Sequence, residues 1–341
     1  MHRLAIGFVT SALLVLGQTS SQSSVEKILY FAHTEDSRTM QEVAQAIRAT
    51  LDMPQVTFAG APQAVTARGT ADQVAAAEWI FSELDRAPSV PRQHSTSHQY
   101  VIPGEREGVV RIFTTANTAN IQEFQEIAQL LRTVVDIRRI FTNNALSAIV
   151  LRADAAQIGL AEPLFDALDQ PADAPKQHRV SSEFLLAGDK EGVTRVFFVA
   201  NAATIQAFQE MAQLIRTAVE VRRTFTLNAP KAIIVRGTAD QVAMAEWLLN
   251  EADQASTVMP DQAVREYRTP GAGDLAVRVF YVPGAASIQD FQRIAQQVRG
   301  AQGILKVSQY NDRRLLTVKG TTAQIAAAER VIKESTLLSK Q

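Results

Sequence analysis

Apolar positions along this chain follow two alternating rhythms. KILYFA (27–32), VVRIFTT (109–115), VTRVFFV (193–199) and AVRVFYV (276–282) are rich in β-branched and aromatic residues and read as strands. Each precedes a stretch with helical spacing; Phe124, Ile127, Ala128, Leu131 and Val135 fall at i, i+3, i+4, i+7 and i+11. Two short strands come next, such as IRRIFT (137–142) and SAIVLR (147–152). Asn143-Asn144 between them suits a tight turn, because asparagine tolerates left-handed backbone. A second helical stretch, striped by Val74, Ala77, Phe81 and Leu84 in its first instance, closes the series. The order βαββα predicts a three-stranded sheet with two helices over one face.

The series occurs four times. RGTADQVAAAEW (68–79) and RGTADQVAMAEW (236–247) differ at one position, and RADAAQIGLAEP (152–163) and KGTTAQIAAAER (319–330) are weaker copies. Their starts are spaced by 84, 84 and 83 residues. Upstream, IQEFQEIAQLLRTVVDIRRIFTNNA (121–145) aligns with IQAFQEMAQLIRTAVEVRRTFTLNA (205–229). The predicted organisation is repeat 1 at 25–88, repeat 2 at 109–172, repeat 3 at 193–255 and repeat 4 at 276–336. Linkers occupy 89–108, 173–192 and 256–275, and 337–341 form a tail. The linkers align with one another, Tyr100, Phe184 and Tyr267 falling together, and an extended segment in each suits an added edge strand. Within the shared twelve-residue stretch, Thr70 with Gln73, Asp154 with Gln157, Thr238 with Gln241 and Thr321 with Gln324 have the offset of a capping box. The stretch recurs because it solves a folding problem, the junction between a strand and a helix.

Charge and composition narrow the chemistry. The formal net charge is −1, which offers no basic excess for a phosphate backbone. The chain has no cysteine, so disulfides, thiolate metal sites and a cysteine nucleophile are excluded. MHR followed by the apolar run LAIGFVTSALLVLG (4–17) and polar QTSSQSS reads as a secretory signal in residues 1–24, cleaved between Gly17 and Ser24; an uncleaved anchor is the alternative. No stretch of the mature chain has the length of a transmembrane span. His94 and His98 have i, i+4 spacing but sit in a Ser/Thr-rich linker, and only His178 aligns with His94, so no metal site is expected. No nucleophile with a base, no phosphate-binding glycine loop and no carboxylate pair in an apolar context stands out. Neither an enzyme nor a cofactor is expected.

Taken together, IVRGTADQVAMAEWLLNEAD (234–253), VTARGTADQVAAAEWIFSELD (65–85) and VTRVFFVANAATIQAFQEMAQLIR (193–216) resemble the periplasmic N-domains of secretins, the repeated modules below the outer-membrane pore of type II and type III secretion and type IV pilus systems. The likeness to this short, NolW-like module covers essentially all of the mature chain in four copies, without the β-rich pore domain. It implies an α+β fold of four tandem βαββα units, secretin-N-like and KH-like, and a periplasmic location. It further implies a non-enzymatic role in protein–protein interaction or assembly, with envelope or secretion-system proteins as partners and self-association open.

Four polar positions recur in every unit: a first-strand base (Lys27, Arg111, Arg195, Arg278), a helix Gln/Arg pair, a third-strand base (Arg68, Arg152, Arg236, Lys319) and a helix acid (Glu78, Glu162, Glu246, Glu329). They suit either a docking face or a solvated face with an Arg–Glu pair inside each unit. The candidate interface residues are Arg48, Arg132, Arg216, Arg299, Gln129 and Gln213 from the helix pair, together with the two tryptophans, Trp79 and Trp247. Pro163 and Arg330 align with the tryptophans, which argues for a unit-edge position and for contact with a partner or another unit. Two other functions compete. A KH-like nucleic-acid binder would use a GxxG loop between two helices, and none stands there. A cell-wall glycan binder would want exposed aromatic residues, which make up only 6% of the chain.

Overall fold

Strand and helix form where the two rhythms predict them. The computed structural model describes residues 24–87, 99–171, 184–185, 192–254, 265–269, 271, 273–301, 303–304 and 306–338. The signal segment before Ser24 and the linker histidines His94, His98 and His178 lie outside the described residues.

Unit 1 comprises β1 (Val25–Tyr30), α1 (Ser37–Leu51), β2 (Val56–Ala59), β3 (Ala64–Gly69) and α2 (Ala71–Leu84). Unit 2 comprises β4 (Gln99–Val101), β5 (Val109–Thr114), α3 (Ile121–Val134), β6 (Arg139–Asn143), β7 (Ala148–Ala153) and α4 (Ala155–Leu168). Unit 3 comprises β8 (Phe184–Leu185), β9 (Val193–Phe198), α5 (Ile205–Val219), β10 (Arg223–Leu227), β11 (Ala232–Gly237) and α6 (Ala239–Ala252). Unit 4 comprises β12 (Arg265–Tyr267), β13 (Leu275–Tyr281), α7 (Ile288–Gly300), β14 (Lys306–Tyr310), β15 (Leu315–Thr321) and α8 (Thr322–Leu338). The described residues thus form a mixed α+β chain with four antiparallel sheets and eight helices, and none of these helices is long and apolar enough to cross a membrane.

The capping boxes fix where each second helix starts. Thr70 Oγ1 accepts from Gln73 N at 3.2 Å while Gln73 Oε1 accepts from Thr70 N at 3.0 Å. Asp154 with Gln157, Thr238 with Gln241 and Thr321 with Gln324 make the same two bonds. Gly69 and Gly237 precede the box in units 1 and 3, and Ala153 holds that place in unit 2. A Cβ on either glycine would stand 2.7 Å from Oε1 of the capping glutamine.

Two expectations need correction. Among the described residues a three-stranded sheet is found only in unit 1, with order β1-β3-β2; units 2–4 have four strands. The linker segments supply the fourth, β4 on β5, β8 on β9 and β12 on β13, all antiparallel. They cover a first-strand edge that would otherwise present unpaired backbone groups. The hairpin turn also differs. Asn144 O accepts from Ser147 N and the left-handed residue is Ser147, at φ 50°, not an asparagine. Asn143 instead ends β6, where its Oδ1 accepts from Leu146 N and holds the turn from below. Lys231 and Arg314 take the same left-handed position in units 3 and 4.

The sheets of units 2–4 are buried on both faces. One face carries the unit's own two helices, and the other packs on the first helix of the unit before. Val110, Ile112, Ala148 and Val150 of unit 2 join the core of unit 1. Val196, Leu227, Ala232 and Ile234 of unit 3 join the core of unit 2. Val277, Val279, Tyr310 and Leu315 of unit 4 join the core of unit 3. The four units therefore share continuous apolar cores, as stacked repeats do.

Candidate interaction interface

The recurring polar positions separate by role once the stack is assembled. The first-strand base and the helix acid pair inside each unit: Lys27–Glu78 at 2.6 Å, Arg111–Glu162 at 2.7 Å, Arg195–Glu246 at 2.5 Å and Arg278–Glu329 at 3.2 Å. Their burial differs. Lys27 and Glu78 are about half exposed, whereas Arg111 is buried beside the added strand β4, opposite Gln99, and lies 5.7 Å from the Phe113 ring centroid. The exposed pair contributes well under about 1 kcal/mol.

The helix arginines also work within their own units. Arg48 Nε donates to Val56 O at 3.1 Å, Arg132 to Ile140 O at 3.1 Å, Arg216 to Thr224 O at 3.2 Å, and Arg299 Nη2 to Gln309 Oε1 at 2.9 Å. Each ties the first helix to the strand that follows it while the residue stays exposed. Gln129 and Gln213 are exposed on α3 and α5; Gln213 Nε2 donates to Thr217 Oγ1 and its Oε1 accepts from Arg216. Gln213 also borders a cleft between units 3 and 4 of about 270 Å³, lined further by Glu210, Leu214, Arg299 and Asn311.

The tryptophans meet the next unit. The Trp79 ring lies 6.0 Å from that of Tyr100 on β4, and the Trp247 ring 5.5 Å from that of Tyr267 on β12. Each couples the second helix of one unit to the added strand of the following one, a geometry worth on the order of 1 kcal/mol beyond area burial.

The third-strand base carries the seam between units. Arg152 Nη1 donates to Leu51 O at 3.5 Å, and Arg236 Nη1 donates to Val134 O and pairs with Asp136 at 3.0 Å. Lys319 pairs with Glu220 at 2.5 Å. A base thus sits at the C-terminal end of the preceding helix, where free carbonyls and the helix dipole favour positive charge. Burial lowers the pKa values of Arg152 and Lys319 from their ordinary values. Asp52, Asp136 and Glu220 occupy the left-handed residue after that helix and reach forward to Arg139, Arg223 and Lys306 on the next sheet. Arg236→Ala is expected to cost about 2 kcal/mol, because it removes a buried charged donor from the α3 terminus and leaves a void. Urea unfolding would measure it, and Arg68→Ala, at the exposed end of the stack, is expected to change stability by less than about 0.5 kcal/mol.

A second buried polar device was not singled out by the sequence reading. Asp169 caps α4, and its carboxylate accepts from Ala116 N at 2.8 Å and Asn117 N at 2.9 Å, pinning the loop after β5. Asp85 does this for Ala32, His33 and Thr34, and Asp253 for Ala200 and Asn201. The recurring Leu-Asp or Ala-Asp at the end of the second helix in units 1–3 was the available signal. Among the described residues no group of three or more His, Asp or Glu is arranged to hold a metal.

No protein-family model matches the chain, and no curated protein sequence does. Among solved structures, the chain is similar to the type II secretion system secretin GspD of E. coli K12, with 9% identity, 69% of this chain and 40% of that one covered, and a TM-score of 0.16. It is similar to a chain of the ETEC pilotin–secretin AspS–GspD complex, at 12% identity, with 88% and 59% covered and a TM-score of 0.17. It is also similar to XcpQN012, at 13% identity, with 66% and 97% covered and a TM-score of 0.21. The chain spans 40% and 59% of the length of the first two.

Proposed function

We propose that this chain is an exported, non-enzymatic interaction module: a stack of four secretin-N-like units that serves in the periplasm as a scaffold within, or a partner to, a secretion or pilus system. The observation that supports this most is the stacking itself. Three times, a sheet is seated on the first helix of the preceding unit through an apolar face and a charged latch. Such a surface is organised to hold polypeptide. The repeated Gln/Arg positions of the first helices, Gln129 with Arg132 and Gln213 with Arg216 among them, stay exposed at a regular interval and are the proposed lateral contact for envelope proteins or further copies. Regularly spaced polar side chains on a repeat array suit an extended partner.

The test is affinity capture. The purified protein, immobilised and exposed to an envelope extract of cells making a secretion or pilus system, is expected to retain a component of that system. Arg132→Glu combined with Arg216→Glu is expected to weaken that retention. The reading fails if no such component is retained and light scattering finds only a monomer near the 37.3 kDa of the whole sequence.

A further inference from the structure

Each internal sheet has its outward face closed by a helix of the unit before it. The described residues place no unit before the first sheet. The position equivalent to Ile28 is Ile112 in unit 2, Val196 in unit 3 and Val279 in unit 4, and these three are at most 9% exposed, whereas Ile28 is 48% exposed. Tyr30, beside it on β1, is 59% exposed. These are large apolar side chains on a face that is covered everywhere else in the molecule. Exposed apolar surface of this kind marks an interaction site.

The internal seats define what such a face receives. Beyond the apolar contact there are two acidic contributions from the incoming helix. A glutamate accepts from the hairpin turn of the sheet: Glu42 from Asn144 N at 3.1 Å, and Glu210 from Asn311 N at 3.0 Å. Ten residues further on, an acid in the left-handed residue after the helix meets the bases of the sheet, as Asp136 meets Arg223 and Arg236. The first sheet retains part of the receiving end of this arrangement, with Gln55 in the place of Arg139, Arg223 and Lys306. Arg68 stands exposed at the Arg236 position, and Gly60 falls where Asn144 and Asn311 offer their N–H groups.

A second copy of the chain would have to bring α7, and α7 has lost both acids. Arg293 occupies the place of Glu42, Glu126 and Glu210. Gly303, at φ 80°, occupies the place of Asp52, Asp136 and Glu220. A side chain in left-handed backbone carries a steric cost that glycine avoids. Units 1–3 bear that cost where the acid latches a following sheet, and unit 4, the last of the described units, has the glycine.

We propose that the outward face of the first sheet, centred on Ile28, Tyr30 and Arg68, is a docking site for an amphipathic helix of another protein. That helix presents small and apolar residues on one face, with a glutamate and, about ten residues later, an acid at its C-terminal end. It repeats the chemistry of α1 and α5 and not that of α7. The inference rests on the reading of the chain as an interaction module.

The probe is a helix-stapled peptide of residues 204–222, which carries Glu210 and Glu220, titrated calorimetrically against the purified protein. Saturable one-to-one binding is expected. A peptide with Glu210→Arg and Glu220→Gly, the α7 chemistry, is expected to bind about tenfold more weakly. Ile28→Asp in the protein is expected to abolish binding with its unfolding midpoint unchanged. The proposal is overturned if the wild-type peptide, verified helical, does not bind, if both peptides bind alike, or if Ile28→Asp binds as well as the wild type. It is also overturned if the protein dimerises through this face and Ile28→Asp alone makes it monomeric, since the occupant is then a second copy. Failed peptide binding alongside intact capture of envelope proteins sinks this inference and leaves the proposed function standing. The reverse pattern sinks the proposed function.

Discussion

Val196→Asp is expected to unfold the middle of the stack, with a loss of about 4 kcal/mol or more, while Ile28→Asp changes stability by less than about 0.5 kcal/mol. The two residues hold the same place in the repeat, the outward face of the first strand. Val196 is fully buried in the core it shares with unit 2, and Ile28 is half exposed. A carboxylate at 196 would have to be desolvated against apolar neighbours such as Ile234 and Leu227 or force α3 away from the sheet. A carboxylate at 28 stays in water. Identical folding of each unit in isolation would give the two substitutions the same effect, so the contrast reads the contact between units. Urea midpoints from far-UV circular dichroism would measure both.

Asp169→Ala is expected to cost about 3 kcal/mol. The carboxylate is buried and accepts two backbone N–H groups from the loop between β5 and α3. Hydrogen bonds to a charged group contribute about 1.5–3 kcal/mol each, and deletion removes the acceptor of two of them. Asp169→Asn keeps one acceptor oxygen and is expected to lose less. The equivalent position in unit 4 is Thr336, whose hydroxyl donates to Ile332 O within α8, so that unit has no such carboxylate clamp. Loss of stability on Thr336→Ala is expected to be small, below about 1 kcal/mol.

Much of the local structure was legible in the chain, and the reasons are local. Helical spacing placed Phe124, Ile127, Ala128, Leu131 and Val135 inward, and all five are buried. The capping boxes were visible because both members lie three residues apart. The linker strands were legible as aligned aromatic positions, although their pairing requires the tertiary fold. The second buried face of the sheets in units 2–4 was missed, yet it left a trace. AIVL (148–151) and AIIV (232–235) are apolar at consecutive positions, as strands covered on both sides are, while AVTA (64–67) places Thr66 on the open face of unit 1. The polar positions were harder. Recurrence alone gave Arg48, Arg132, Arg216 and Arg299 the same standing as Arg152 and Arg236, because a tie within a unit and a latch between units both recur with the repeat. Only the register of one unit against the next distinguishes them. The departures at Arg293 and Gly303 were readable in the alignment of the repeats, but they gain meaning only once α7 is seen to meet no following sheet among the described residues.

The account turns on the four units forming one interlocked stack, and equilibrium unfolding in urea tests this most directly. Trp79 and Trp247 report on the contacts of unit 1 with unit 2 and of unit 3 with unit 4, while circular dichroism reports on all helices. The account predicts coincident transitions in all signals, with a slope that corresponds to the surface of several units unfolding together. Separate transitions, or one with the shallow slope of a single unit of about 60 residues, would show independent domains on a string and would contradict it.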